Sequence, residues 1–245
     1  RTMSEAGYRV EHVPHNGDEL VQELLKGVTN DLNWISPKEA FEKAAGVQGP
    51  KEYGRTFRSV PRFNQERLVR SWGEPPGEVT VLEGNMIMPG VENGNILITY
   101  QPIRALGEQT DALYHDPVIP APHQYLGFYR WLKDVYHADA VIHMGTHGSM
   151  EWLPGKSVGL SNKCEPDMIL DTLPDIYPFC IDDPGEGIQA KRRVEAVIIA
   201  YLNPAMARAD SYEDLEKICS LLREYFTIRG SASEDRMKVL VSEIF

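Results

Sequence analysis

Two segments of this chain share one arrangement: a stretch of helical periodicity feeds directly into a short apolar run. In the first, PHQYLGFYRWLKDVY (122–136) precedes ADAVIH (138–143), with Leu126, Tyr129, Leu132 and Tyr136 near one face. In the second, DDPGEGIQAKRRVEA (182–196) precedes VIIAYL (197–202). Short apolar strands that alternate with helices are buried between layers, so the arrangement admits few folds besides a layered α/β one. The amino-terminal part alternates in the same way. YRVEHVP (8–14) has the period of a strand, and NGDELVQELLKG follows with Asp18 as a helix N-cap and Gly27 just past the helix end. SPKEAFEKAAG (36–46) is a further helix with Pro37 at its first position. The expected class is α/β: a layered mixed or parallel sheet flanked by helices, with long loops.

Residues 46–78 are rich in Gly, Pro and Arg and predict a loop-rich connection around a short helix near 64–71. Strands follow, broken at Pro89-Gly90 and Asn93-Gly94, and ILITYQ is the best of them. Residues 102–122 form a long Pro-rich loop holding His115 and Asp116. Loops of that length inside compact domains usually line sites. SYEDLEKICSLLREYF, from Ser211, carries an apolar stripe at helical spacing. The chain opens at Arg1 without a Met and stops inside a helical pattern, which predicts a piece of a longer polypeptide. The division expected is 1–50 as the end of an α/β domain and 51–245 as a core domain.

Charge excludes one class of partner. Asp plus Glu number 36 against 25 Lys plus Arg, a formal charge of −11. Phosphate neutralisation needs clustered cations, so nucleic acid is not an expected partner. No apolar run approaches the ~20 residues of a membrane-spanning helix. Cys164, Cys180 and Cys219 are odd in number and widely spaced, which fits a reducing cytoplasm better than a disulfide framework.

The densest chemistry lies in VIHMGTHGSMEWLPGK (141–156). His143, His147 and Glu151 stand four residues apart. On one straight helix the outer two would be about 12 Å apart, too far to share an ion. Gly145 and Gly148 suggest a corner instead: a strand ends at His143, and a helix begins near Thr146 or His147. His143 then sits at the carboxyl end of a strand, where α/β folds place ligands, and His147 and Glu151 become helix neighbours. The duller account of each residue alone is a cap or a surface hydrogen bond. The i, i+4 spacing is shared with HExxH metallopeptidases, but the glutamate is misplaced for that pattern.

HMGTHGSMEWLPGK, NKCEPD, LPDIYPF, DDPGEGIQAKRR and AVIIAYLNPA, in that order, resemble the large subunit of cobaltochelatase and magnesium chelatase. GNILITYQPIR, YHDPVIPAPHQYLGFYRWL and ADAVIH precede them in the family's order, and the resemblance covers most of residues 70–210. It implies a tetrapyrrole-binding, metal-inserting protein whose AAA+ partner subunits hydrolyse ATP, with a divalent metal as substrate and no ATP bound here. GTHG and PGEG look more like the cobalt branch. Imidazole donors also suit Co²⁺ better than Mg²⁺, which prefers oxygen.

Insertion requires a cation to be handed over and two pyrrole N–H protons to leave. His143, His147 and Glu151 are the expected residues for metal delivery or proton removal. Glu186 is either an N-terminal helix cap or a second catalytic carboxylate. Lys191, Arg192 and Arg193 are either a solvated helix face or an anchor for tetrapyrrole side chains. His115, Asp116 and His123 could complete the substrate site, with a turn-forming Asp116 as the alternative. Cys164 as a soft ligand, and Trp131, Trp152 and Tyr177 as stacking partners, compete with plain packing. Two other functions stay open: a tetrapyrrole-binding or sensing module without insertion activity, and an unrelated metal hydrolase.

Overall fold

The computed structural model describes residues 2–104, 116–145, 148–179, 184–200, 213–228 and 234–244. They form two compact units, Arg1–Leu202 and Asn203–Phe245. Strand β1 (Gly46–Gln48) pairs with β3 (Asn85–Met88), so the chain before and after residue 50 shares a sheet.

The first unit is mixed α/β, as the alternation implies. Helices α1 (Thr2–Glu5), α2 (Gly17–Leu24) and α3 (Pro37–Lys43) precede β1. The cap of α2 is Asn16, whose side chain accepts from the Glu19 N–H, rather than Asp18. For α3 the expected Pro37 start holds, and Ser36 with Glu39 closes a capping box. Helices α4 (Pro50–Ser59) and α5 (Arg62–Trp72) occupy the segment read as mostly loop. Strand β2 (Val81–Leu82) lies on the other side of β3, giving an antiparallel order β1-β3-β2. Strands β4 (Val91–Asn93) and β5 (Ile96–Ile98) form a hairpin. Gly94 turns it at φ +72°, and a Cβ there would lie 2.1 Å from the Arg9 carbonyl.

That close approach explains why YRVEHVP is not a strand. Arg9 meets the hairpin through one backbone bond, from the Asn95 N–H. The Glu11 and His12 N–H groups instead donate to the Asn93 side chain at 2.8 and 3.0 Å. A side chain thus takes the donors that a neighbouring strand would otherwise accept.

The second sheet is parallel, in the order β6 (Val141–Ile142), β7 (Asp175–Phe179), β8 (Val197–Ala200). Helix α7 (Glu165–Leu170) lies on the β6–β7 connection and α8 (Pro184–Arg193) on the β7–β8 connection. Parallel strands require such crossovers. The sheet leans on α6 (His123–Asp134), which is buried along most of its length: His123 to Tyr129, then Trp131 and Leu132. A helix apolar on nearly every side belongs inside a core. Truncating one of its large aromatics to alanine would cost on the order of 3–5 kcal/mol.

In the second unit α9 (Glu213–Ile228) packs with α10 (Glu234–Ile244). Arg236 pairs with Glu224 across them, and Leu240 is fully buried.

Candidate functional site

His143 follows β6 directly, and its N–H extends the ladder to the Ile176 carbonyl at 2.9 Å. The register sets Val141 beside Asp175, so His143 rises next to the buried first residue of β7. Its Nδ1 lies 2.8 Å from Asp175 Oδ1. On the other side, Nε2 lies 2.8 Å from the Tyr129 hydroxyl of α6. The Gln101 amide nitrogen donates to that same hydroxyl at 3.2 Å.

The corner that follows is shaped by side chains. Gln101 Oε1 accepts from the Ser149 N–H at 2.9 Å, and Glu151 Oε1 accepts from the Gly148 N–H at 2.9 Å. Ser149 Oγ lies 2.8 Å from the Tyr125 hydroxyl. Residues 148 and 149 are not helical, and the next element is a 3₁₀ turn, Met150–Trp152. The expected helix from Thr146 or His147 through Glu151 is therefore absent at 148–149. Space at Gly148 is tight: a Cβ would sit 3.0 Å from Gln101 Nε2 and 3.3 Å from Glu151 Oε2, so those side chains would have to give.

Glu151 is only 1% exposed. Besides Gly148 it receives the Tyr177 hydroxyl at 3.4 Å, while its Oε2 has no hydrogen-bond partner. Such a buried carboxylate oxygen calls for an explanation, because satisfied partners are the rule. Tyr177 also packs its ring 5.7 Å from that of His143. His143 and Glu151 thus share a neighbour, one against its ring and the other against its hydroxyl. Burial first, then Glu151 and Asp175, pushes the Tyr177 hydroxyl well above its usual range. Burial does the same for Tyr125 and Tyr129. All three stay protonated as neutral donors.

The remaining expected residues scatter. His147 and His115 lie outside the described residues. Among those described, no group of three His, Cys, Asp or Glu could hold a metal ion. Both ring nitrogens of His143 are already engaged, so ligation by it would break one of these bonds. Glu186 is half-buried in the first turn of α8. Lys191 and Arg192 are exposed, but Arg193 turns inward and leaves that cluster. Its guanidinium donates to the carbonyls of Glu151 at 2.8 Å and Leu153 at 2.6 Å. Helical spacing explains this: Arg193 lies three residues after the fully buried Ala190, on the inward face of the helix.

His123, expected in the substrate site, lies in the core. It is buried, with Nδ1 2.7 Å from the Tyr53 hydroxyl and Nε2 3.0 Å from the Gly73 carbonyl. Burial holds its pKa below the usual imidazole value. Asp116 forms a turn, accepting from the Val118 and Ile119 N–H groups at 2.7 and 2.9 Å. Trp131 and Tyr177 are core residues and offer no free ring face. Cys164 is buried, its sulfur accepting from the Lys156 and Ser161 N–H groups at 3.4 Å each.

Asp175, Gln101 and Tyr129 were missed as site residues. Asp175 stands one residue after a proline in LPDIYPF, and nothing local marks it as a partner of His143. Glu165 was missed too. It is 1% exposed, accepts from the Ala121 N–H at 2.9 Å and lies 3.3 Å from the Arg67 guanidinium. Burial outweighs that cation and raises its pKa to about 7.

A part-buried imidazole paired with the buried Asp175 carboxylate stands at a parallel strand end of this α/β protein, and a second buried carboxylate, Glu151, shares Tyr177 with it as a neighbour. The chain belongs to the CobN/magnesium chelatase family, whose model matches residues 1–245. It is 42% identical over 226 residues to the aerobic cobaltochelatase subunit CobN of Pseudomonas aeruginosa, covering 92% of this chain and 18% of that protein. It is 30% identical over 230 residues to the chloroplastic magnesium-chelatase subunit ChlH of Oryza sativa subsp. indica, covering 94% of this chain and 16% of that one. The catalytic subunit of cobaltochelatase from Mycobacterium tuberculosis superposes with a TM-score of 0.72 at 36% identity, covering 99% of this chain and 21% of that one. The chain therefore spans about a fifth of the length of these relatives.

Proposed function

We propose that this chain forms the metal-inserting part of a chelatase large subunit, which places a divalent cation into a tetrapyrrole while AAA+ partner subunits hydrolyse ATP. The observation that carries the proposal is the unpartnered Oε2 of Glu151, buried beside the His143 pair in a chain of this family. Insertion releases two pyrrole protons for each M²⁺ bound. Glu151 Oε2 is free to take a proton or a cation, and His143 is a second base beside it. Both its nitrogens are engaged, so His143 takes up a proton at Nε2 only as the Tyr129 O–H turns away from it. Because Glu151 is sealed from solvent, the substrate must uncover it. Lys191 and Arg192, exposed on α8, remain the proposed anchors for tetrapyrrole carboxylates, and Glu186 and His147 the further polar groups of the site. Co²⁺ is the proposed metal, supported by 38–42% identity to two cobaltochelatase subunits against 29–37% to magnesium-chelatase subunits. The proposed compartment is the cytoplasm: Cys164 and Cys219 are free thiols, and no helix among the described residues is long and apolar enough to cross a membrane.

The test uses the complete large subunit with its ATPase partners. Tetrapyrrole affinity, read by absorbance titration with a porphyrin and with a corrin, should change little in Glu151→Gln. Metal insertion should fall by about a hundredfold. Undiminished insertion by Glu151→Gln would overturn the assignment. Binding of tetrapyrrole without insertion by the wild-type assembly would favour a sensing module.

A further inference from the structure

We propose that Asp175 is a positioning residue for this chemistry, holding His143 as the Nδ1–H tautomer so that Nε2 carries the ring's lone pair toward Tyr129. The role in insertion rests on the function proposed above; the tautomer does not.

The protons can be placed from both ends of one hydrogen-bonded chain. At one end is the Ser149 backbone N–H, which can only donate. Its acceptor at 2.9 Å is therefore the oxygen of the Gln101 amide, and the Gln101 nitrogen is the donor to the Tyr129 hydroxyl at 3.2 Å. With its oxygen receiving Gln101, the Tyr129 O–H is directed to His143 Nε2 at 2.8 Å. An Nε2 that accepts leaves the ring proton on Nδ1, 2.8 Å from Asp175 Oδ1. At the other end is that carboxylate oxygen, which accepts. The Gln101 end permits this ring proton, and the Asp175 end requires it.

Asp175 decides the outcome and Tyr129 does not. The tyrosine oxygen has two lone pairs and could receive both Gln101 and an Nε2–H. The opposite tautomer would set the Nδ1 lone pair against a carboxylate lone pair at 2.8 Å, in a site where Asp175 is 3% exposed and water cannot intervene. Burial also fixes the ring in place. His143 is held between Tyr129 and Tyr177, with centroids 6.0 and 5.7 Å away. A carboxylate behind a histidine commonly sets which nitrogen is basic.

The first measurement reads the wild-type ring. Selective ¹⁵N-histidine labelling of this chain, with His143 assigned among the seven histidines by a His143→Gln spectrum, reports the tautomer directly. Wild type should show a pyrrole-type Nδ1 and a pyridine-type Nε2. Tyr129→Phe should keep that pattern. Asp175→Val places a strand-favouring β-branched residue there, without an acceptor, and should give a mixture. An Nε2–H tautomer in wild type, or an unchanged tautomer in Asp175→Val, would overturn the proposal. In the complete large subunit with its partners, Asp175→Val should lower kcat at least tenfold with the tetrapyrrole KM within twofold. Unchanged kcat, or a change in KM alone, removes the positioning role. If the wild-type assembly inserts no metal, the role in insertion falls with the proposed function while the tautomer result stands on its own.

Discussion

Arg193 clamps the corner from below: one guanidinium bonds the Glu151 carbonyl at 2.8 Å and the Leu153 carbonyl at 2.6 Å. Losing it would orphan two acceptors in a buried place. Charged hydrogen bonds of this kind contribute about 1.5–3 kcal/mol each. We expect Arg193→Ala to lower stability by roughly 3 kcal/mol or more, and Lys191→Ala or Arg192→Ala by less than about 0.5 kcal/mol. Urea denaturation midpoints would separate them. Equal effects at all three positions would mean that Arg193 is not the inward residue.

Glu165 makes stability depend on pH in a defined direction. Its folded pKa, about 7, lies above the ordinary carboxyl value of 4.5. The protonated form is thus favoured by folding. Its contribution is full below about pH 4.5 and is lost as pH rises through about 7, a difference on the order of 3 kcal/mol. Comparing wild type with Glu165→Gln across that window isolates the effect, because the opposite slope expected from the lowered His123 pKa is common to both proteins. A flat difference would refute the raised value.

Gly46 is held by space. A Cβ there would lie 2.2 Å from Trp131 Cζ2, and Trp131, itself on α6, is buried against Phe128 and Tyr136. The indole cannot swing away as a flexible chain would. Gly46→Ala should cost about 1–3 kcal/mol by overpacking. A thermal midpoint unchanged within error would count against this packing.

Gly148→Ala should act locally. The new methyl would press on the Gln101 amide, which is tied to both Ser149 and Tyr129. We expect the fold to persist and the His143 ¹⁵N signals to shift, since Tyr129 couples the two. Unmoved signals would show that the corner yields without disturbing the relay.

Much of the architecture was legible because helices announce their ends. Pro37 with Ser36, the Asn93-Gly94 turn and the helix–strand pair ending at His143 all stand where local chemistry places them. What was lost was non-local. Strand β7 carries Pro178 in the middle of a sheet, a residue that argues against a central strand. The 8–14 segment has a strand's alternation but finds the Asn93 side chain instead of a ladder. In the site, the four-residue spacing drew attention to His143 and Glu151 and suggested a helix that is absent. Their partners Asp175, Tyr129 and Gln101 come from three distant stretches, and only the tertiary fold brings them together. For Arg193, a run of three basic residues hid the fact that a helix points its neighbours different ways.

The corner after His143 takes its conformation from elsewhere. Gln101 grips Ser149 from the end of a hairpin, Arg193 holds two carbonyls from a helix some forty residues on, and Tyr177 reaches Glu151 from the next strand. A synthetic peptide of residues 141–156, or the same loop spliced onto a foreign scaffold, would carry every chemically reactive side chain and none of the supports. The motif is a signature by which such a centre is recognised, and rebuilding one elsewhere would mean transplanting the surrounding walls as well.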